Sequence, residues 1–156
     1  MSKHIAFIGV GNMGNPMAQQ LVNAGKQVKV FDVSEQAIKI AKENGLNVVN
    51  SLDELLSNSS AVISMLPEGK HVQELYPGEN GILTKISQDS LIIECSTIDI
   101  ETSLKIGDHA KSLGIKMIDA PVTGGVMGAR VGKLNFLVGG SHEAVKLATP
   151  LLEIMG

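Results

Sequence analysis

The sequence predicts an α/β fold in which a doubly wound, mostly parallel sheet carries helices on both faces. Three observations predict it: short apolar runs alternate with helical patterns, a glycine turn follows the first run, and an acidic residue ends the second. With 156 residues, 44% of them hydrophobic and 19% charged, the chain has an ordinary globular composition. We therefore expect one domain over residues 1–156, of the Rossmann type.

The first apolar run, residues 5–8, has the length and composition of a buried parallel strand. It leads into Gly9, Gly11 and Gly14, whose spacing is G-x-G-x-x-G. In this pattern the first glycine permits a tight turn, the second lets the main chain approach a pyrophosphate, and the third lets the next helix lie close to the strand. The start of that helix offers free amides and the positive end of its dipole, and Gly25 is placed to end it.

The second apolar run, residues 28–31, ends at Asp32. Asp32 follows the glycine turn at close to the roughly 20-residue spacing at which an acidic residue meets the adenosine ribose of a dinucleotide. A carboxylate accepts hydrogen bonds from a 2′-hydroxyl and repels a 2′-phosphate, and neither Val33 nor Ser34 is an arginine that could pair with one. We predict a dinucleotide site that prefers NAD to NADP. The alternative interpretation is a turn without a ligand, followed by a surface aspartate.

The remaining elements follow from periodicity and capping signals. Later strands share short apolar composition and are expected over residues 46–49, 61–66, 91–95, 115–119 and 134–138. Helices are expected over residues 34–43, from the capping box Ser51-x-x-Glu54 to Leu56, and from the box Ser96-x-x-Asp99 to about Leu113. A last helix follows residues 139–141, and Pro150 is expected to kink or split it.

In such a sheet the ligand lies at the carboxyl ends of the strands, so the connections there matter most. Pro67 stiffens one of them, although the end of a strand would also explain a proline. Ser96 and Thr97 lie at another, where helix capping alone would explain Ser96. The glycine-rich loop 120–132 can form an anion-binding concavity suited to a substrate carboxylate, or a flexible connection. Residues 76–81 are typical of a surface loop.

Charge and composition exclude several other functions. A net charge of -3 without a basic tract argues against a nucleic-acid partner. No apolar run approaches the roughly 20 residues of a membrane span, and we expect a cytoplasmic protein. Cys95 is the only cysteine, which excludes an internal disulfide and favours a buried small hydrophobe over a nucleophile. The histidines are too far apart for a local metal motif, and we expect no metal: His4, His71, His109 and His142.

Taken together, these motifs resemble those of the β-hydroxyacid dehydrogenases, and the resemblance extends over the whole chain. It depends on residues 9–18, 65–67, 77–83, 96–99 and 119–125. It implies two sets of site residues. The cofactor set comprises Gly9, Gly11, Asn12, Met13, Gly14, Asp32, Leu66, Pro67, His71 and Thr97. The substrate-carboxylate set comprises Thr123, Gly124 and Gly125. His71 stands where relatives often have Asn, and Thr123 where they usually have Ser.

The resemblance implies an NAD-dependent oxidoreductase acting on a small hydroxy acid. Within the family the likeness is greatest to members that oxidise 3-hydroxyisobutyrate to methylmalonate semialdehyde in valine breakdown. Reductases of tartronate semialdehyde, or of succinic and glyoxylic semialdehydes, are alternatives within the family. A non-catalytic NAD-sensing module is the alternative from another class, since a fold does not fix a function.

Family members continue beyond the position of Gly156 into a helical domain that carries the catalytic lysine and most of the contacts of a homodimer or homotetramer. Hydride transfer from an alcohol needs a group that removes the hydroxyl proton, and no lysine here falls in the matching motif. We therefore expect no catalytic residue within residues 1–156, and a chain that binds NAD without turning over substrate.

Overall fold

The computed structural model describes residues 3–67, 69–77 and 81–156. Its main strands are β1 His4–Ile8, β2 Val28–Phe31, β3 Asn47–Val48, β4 Ser59–Ser64, β5 Leu91–Glu94 and β6 Lys116–Asp119. Within the described residues they form one parallel sheet in the order β3-β2-β1-β4-β5-β6. The order reverses between β1 and β4, which creates the crevice where doubly wound folds bind ligands. The predicted doubly wound parallel sheet is confirmed.

Helices cover both faces of this sheet. They are α1 Gly14–Asn23, α2 Glu35–Glu43, α3 Leu52–Leu56, α4 Gly69–Leu75, α5 Ile82–Lys85, α6 Ile100–Ser112, α7 Gly125–Val131 and α8 His142–Met155. Side chains of β1 alternate between two apolar clusters. Ile5 and Phe7 pack with residues of α1, α2, α7 and α8, whereas Ala6 and Ile8 pack with residues of α3 to α6. This alternation buries both faces of the strand, as a parallel sheet requires.

Capping residues set the helix boundaries that the sequence predicts. The side chains of Ser34 and Ser51 accept hydrogen bonds from amides three residues later and begin α2 and α3. Gly25 and Gly45 follow α1 and α2 with positive φ, the conformation that ends a helix with least strain on a glycine. The predicted capping roles of Ser51 and Gly25 are confirmed.

The glycine-rich region differs from the predicted loop, because it contains α7. Gly124 has φ 124° before the helix, and Gly132 has a left-handed φ of 68° after it. These glycines therefore lie at the two ends of a helix, and Ala129 on that helix is buried in the core. Residues 134–138 also differ from prediction: the strand β8 is only Asn135–Phe136, and it pairs antiparallel with β7, Val122–Thr123, outside the main sheet.

Two further predictions are wrong in part. Pro150 lies inside α8 without splitting it. Proline has no amide hydrogen to donate to the Lys146 carbonyl, but Lys146 is exposed, and water can bind there instead. The surface loop predicted for residues 76–81 is not at the surface at either of its ends. Tyr76 and Gly81 are buried, and a Cβ on Gly81 would lie 2.3 Å from the Tyr76 carbonyl oxygen. Residues 78–80, which belong to one of the motifs that carry the resemblance, and residue 68 lie outside the described residues.

Candidate cofactor-binding site

The carboxyl ends of the strands are joined into one edge by backbone hydrogen bonds. The residue that follows a strand donates its amide to the last residue of a neighbouring strand, at 2.8 to 3.0 Å. These bonds join Gly9 to Phe31, Met65 to Ile8, Cys95 to Ser64 and Ala120 to Glu94. The segments that the sequence analysis selected separately therefore lie side by side along this edge, which we call the carboxyl edge.

The glycine turn lies at the centre of this edge, and its glycines differ in the space around them. A Cβ on Gly9, which has φ 96°, would lie 2.2 Å from the Met65 carbonyl oxygen. A Cβ on Gly14 would lie 1.7 Å from the carbonyl oxygen of Gly9, whereas a Cβ on Gly11 would meet nothing within 4 Å. Gly9 and Gly14 thus permit close packing, and Gly11 faces open space. This is the arrangement that lets a pyrophosphate approach the main chain.

The start of α1 offers hydrogen-bond donors to that space. The amides of Gly11, Asn12 and Met13 have no acceptor among the described residues, and no acidic residue occupies the first turn of α1. Unpaired amides and the positive end of the helix dipole favour a bound anion. The residues present therefore fit the diphosphate of NAD, a cofactor that accepts a hydride from the carbon of an alcohol.

Asp32 joins the glycine turn to the end of β2. Its Oδ2 accepts a hydrogen bond from the Val10 amide at 2.9 Å, and its Oδ1 accepts one from the Ser34 amide at 2.9 Å. A carboxylate oxygen can accept more than one hydrogen bond, so Asp32 keeps the capacity to accept from a ribose hydroxyl. Val33 beside it is 87% exposed and brings no positive charge.

A cleft of about 730 Å³ opens beside the turn, between α1 and α2. Val10, Gly11 and Asn12 line it at the turn, and Ser34 lines it near the end of β2. From there the cleft follows α1 towards Asn23, away from β4 and β5. It therefore includes residues of the adenosine side of the predicted site.

The predicted nicotinamide-side residues follow β4 and β5. Leu66 is half-buried, while Pro67 and Thr97 are exposed at the carboxyl edge. His71 lies on α4, and its Nδ1 is buried without a hydrogen-bond partner among the described residues. An unpaired buried nitrogen needs a partner to offset its lost hydration, so this atom is compatible with a contact to a bound group.

Ser96 has a different role from the predicted helix cap. Asp99 caps α6, because its carboxylate accepts hydrogen bonds from the amide and the hydroxyl of Thr102 at 2.9 and 2.7 Å. The Ser96 hydroxyl instead accepts a hydrogen bond from the Leu66 amide at 2.7 Å. It therefore joins the segment after β5 to the segment after β4.

A buried polar cluster, which the sequence patterns did not predict, lies beneath these two segments. Glu94 is 0% exposed; its carboxylate accepts hydrogen bonds from the hydroxyl of Ser64 and, at 2.7 Å, from the amide of Ser96. Burial raises the pKa of the Glu94 carboxyl, and hydrogen bonds from Ser64 and Ser96 oppose that rise. The available signal was a charged residue at the end of the otherwise apolar strand β5.

The predicted carboxylate-binding residues lie farther along the chain, after β6. Thr123 pairs with Asn135 in the small antiparallel sheet of β7 and β8, and Gly124 and Gly125 lie at the start of α7. All three predicted residues are exposed. Among the helices of the described residues, none is long and apolar enough to cross a bilayer. In the same part of the chain, no three His, Cys, Asp or Glu residues are grouped to hold a metal ion.

A family model described as the NAD-binding domain of 6-phosphogluconate dehydrogenase matches residues 4–156. The chain belongs to this family. The family is one of NAD-binding domains, and the open glycine turn described above is consistent with that ligand.

Two similar relatives are hydroxyacid dehydrogenases. The 3-hydroxyisobutyrate dehydrogenase of Pseudomonas aeruginosa is 46% identical over 97% of this chain and 51% of its own length. The NAD-dependent L-serine dehydrogenase of that species is 44% identical over 99% of this chain and 52% of its own length. A solved structure of Mycobacterium tuberculosis 3-hydroxyisobutyrate dehydrogenase with L-serine is 38% identical, with a TM-score of 0.92 over 100% of this chain and 53% of that protein.

These findings confirm the Rossmann-type fold, the resemblance to β-hydroxyacid dehydrogenases and NAD as the cofactor. The chain spans about half the length of the relatives it matches.

Proposed function

We propose that this chain is the NAD-binding domain of an NAD-dependent 3-hydroxyacid dehydrogenase, whose catalytic lysine lies in a helical domain outside residues 1–156. The observation that carries the proposal is the glycine turn, in which Gly9 and Gly14 have no room for a Cβ while Gly11 faces open space beside unpaired amides. A Rossmann domain that only senses NAD would have the same turn. The dehydrogenase is favoured because relatives at 44 to 46% identity are hydroxyacid dehydrogenases.

The proposed roles follow the order of the strands. The amides of Gly11, Asn12 and Met13 bind the diphosphate, and Asp32 accepts a hydrogen bond from the adenosine ribose on the β2 side. On the other side, after β4 and β5, a set of residues contacts the nicotinamide half: Leu66, Pro67, His71 and Thr97. These residues bind and orient the cofactor, and none of them is proposed to remove the substrate proton.

Two substrates share the chemistry that the proposed site would recognise. 3-Hydroxyisobutyrate and L-serine each carry a carboxylate and a hydroxyl on the third carbon, and they differ in a methyl or an ammonium group on the second. We propose 3-hydroxyisobutyrate as the substrate, with Thr123, Gly124 and Gly125 holding its carboxylate, because the P. aeruginosa enzyme for it is 46% identical to this chain. L-Serine is the second candidate, because the L-serine dehydrogenase is 44% identical.

The first experiment is a fluorescence titration of this chain with NADH and with NADPH. We expect the Kd for NADPH to exceed that for NADH at least tenfold, because Asp32 repels the 2′-phosphate. Asp32→Ala should remove most of that preference. Because this variant also breaks the bonds to the Val10 and Ser34 amides, Val33→Arg is the matched variant. It keeps those bonds, changes a side chain that is 87% exposed, and should tighten NADPH binding several-fold.

Absence of saturable NADH binding by the unmodified chain would contradict the proposal at its first step. Equal affinity for the two cofactors would retain the NAD site and overturn the proposed role of Asp32.

A second experiment tests the proposed division of labour. Incubated with NAD and either 3-hydroxyisobutyrate or L-serine, the chain alone should form no NADH, measured by absorbance, because it lacks the base that removes the hydroxyl proton. Turnover with either acid would show that the base lies within residues 1–156. A dimer or tetramer built by the helical domain, and a cytoplasmic location, stay predictions of the sequence.

A further inference from the structure

Glu94 is a charged residue placed where only apolar side chains would be expected. It ends β5, whose other members Leu91, Ile92 and Ile93 are all buried in the apolar clusters. Burying a carboxyl group is costly unless hydrogen-bond donors replace its water. Here the hydroxyl of Ser64 and the amide of Ser96 serve as those donors. The polar cluster is therefore well satisfied, and its location at the carboxyl edge calls for a functional reason.

Three segments of the carboxyl edge converge on this one carboxyl group. Ser96 donates its amide to Glu94 and begins the segment that contains Thr97. The Ser96 hydroxyl holds the Leu66 amide at 2.7 Å, which fixes the segment after β4. The Ser64 hydroxyl is bonded both to Glu94 and to the hydroxyl of Tyr76.

Tyr76 extends the cluster to a helix. It directly follows α4, the helix that carries His71, and its side chain is fully buried. Its hydroxyl therefore links the end of α4 to Ser64 and, through Ser64, to Glu94.

We propose that Glu94 is a positioning residue for the nicotinamide side of the cofactor site. Acting through Ser64, Ser96 and Tyr76, its carboxyl group holds Leu66, Thr97 and α4 at fixed relative positions. The inference rests on the proposed function, since it assumes that those segments contact the nicotinamide half. It goes beyond that function by assigning cofactor affinity to side chains that never touch the cofactor.

The strand order separates this role from a general contribution to stability. Adenosine and diphosphate contacts are proposed at the ends of β1 and β2, whereas Glu94 and its partners lie on or just after β4, β5 and α4. Loosening the cluster should therefore weaken contacts to nicotinamide and spare contacts to ADP-ribose, which lacks that ring. A general loss of folding would weaken both ligands alike.

The test compares Ser96→Ala and Glu94→Gln with a matched control, Ser90→Ala. Ser90 precedes β5 at the opposite end; it is 1% exposed, and its hydroxyl donates to the Ser59 carbonyl at 2.6 Å. For Ser96→Ala and Glu94→Gln we expect the NADH Kd to rise roughly fivefold to tenfold while the ADP-ribose Kd changes less than twofold. Ser90→Ala should change neither Kd by more than about twofold, although it lowers stability.

Tyr76→Phe keeps the ring in its buried place and removes only the hydroxyl, so it serves if the other variants fail to fold. We expect it to weaken NADH binding about threefold and to leave ADP-ribose binding unchanged. An NADH Kd that stays within twofold in all the folded cluster variants would overturn the positioning role, as would parallel losses for NADH and ADP-ribose. If the unmodified chain binds neither ligand, the proposed function itself fails, and this inference fails with it.

Discussion

At Gly14, one missing methyl group decides whether α1 can lie against β1. A Cβ there would lie 1.7 Å from the Gly9 carbonyl oxygen and 3.1 Å from Phe7, both fixed in the core. Gly14→Ala should therefore lower the free energy of unfolding by about 3 kcal/mol or more, because the helix must move to relieve the contact. Urea denaturation of the chain without ligand measures this loss.

Gly11→Ala is the matched control: it should leave stability nearly unchanged and weaken NADH binding. Its Cβ would meet nothing within 4 Å, so the free energy of unfolding should change by less than about 1 kcal/mol. The new methyl would instead occupy the approach to the diphosphate and weaken NADH binding at least tenfold. Equal stability of the two variants would contradict the packing role of Gly14, and unchanged NADH affinity in Gly11→Ala would contradict the placement of the diphosphate.

The residues that could be predicted from the sequence are those whose roles depend on local spacing. Gly9, Gly11 and Gly14 act within one turn, and Asp32 follows at a distance along the chain that strand and helix lengths determine. Glu94 and Ser96 could not be assigned in this way. Their partners Ser64 and Leu66 lie 30 residues earlier, and only the pairing of β4 with β5 brings them together.

At the scale of elements, prediction succeeded for helices with serine caps. It failed where glycines could belong either to a loop or to the ends of a helix. The glycine content around Gly124 and Gly132 led to the prediction of a loop, but these two residues lie at the ends of α7. The choice depends on whether the apolar residues between them find a core, and Ala129 finds one in the cluster that α1 and α8 help to form. Likewise, β8 is short: it pairs with β7 outside the main sheet, and the chain after it meets β6 only in a single bridge between Gly139 and Asp119.

The start of α6 gives a prediction at this scale. Hydrogen bonds from the hydroxyl and amide of Thr102 lower the pKa of the Asp99 carboxyl below its ordinary value of 3.8. The ionised cap therefore stabilises the folded chain above pH 3.8, and that contribution is lost as the pH falls through the lowered pKa. Asp99→Asn can still cap the helix but cannot ionise.

Urea denaturation between pH 2 and pH 6 provides the measurement. The stability advantage of the unmodified chain over Asp99→Asn should shrink as the pH falls below 3.8. A difference that stays constant across this range would show that the carboxylate cap contributes no pH dependence.

For the molecule as a whole, the strand order brings site and polar cluster to one end of the sheet. The crevice opens where the order reverses between β1 and β4, and the buried carboxyl of Glu94 lies one strand farther along, on β5. Energetic cost and proposed function therefore coincide, because this fully buried carboxyl lies at the carboxyl edge near the proposed cofactor segments.

Global stability should consequently depend on pH through Glu94. Burial raises its pKa above the ordinary value of 4.5, so the folded chain holds that proton more tightly than the unfolded chain does. The stabilisation from the protonated carboxyl is fully present below pH 4.5 and is lost as the pH rises through the raised pKa. Glu94→Gln cannot ionise, so its stability relative to the unmodified chain should improve as the pH rises.

Neighbouring groups do not reverse this expectation. Burial raises the pKa of Tyr76 well above 10.0 and that of Cys95 well above 9.0, so both stay neutral between pH 4.5 and 8. Burial also raises the pKa of Asp119, the partner of Glu94 across the β5–β6 pair, and this carboxyl is present in every variant compared. Urea denaturation at a series of pH values would compare the unmodified chain, Glu94→Gln and Ser90→Ala. The difference from Ser90→Ala should stay flat, and an equally flat difference from Glu94→Gln would show that the buried carboxyl does not titrate with folding in this range.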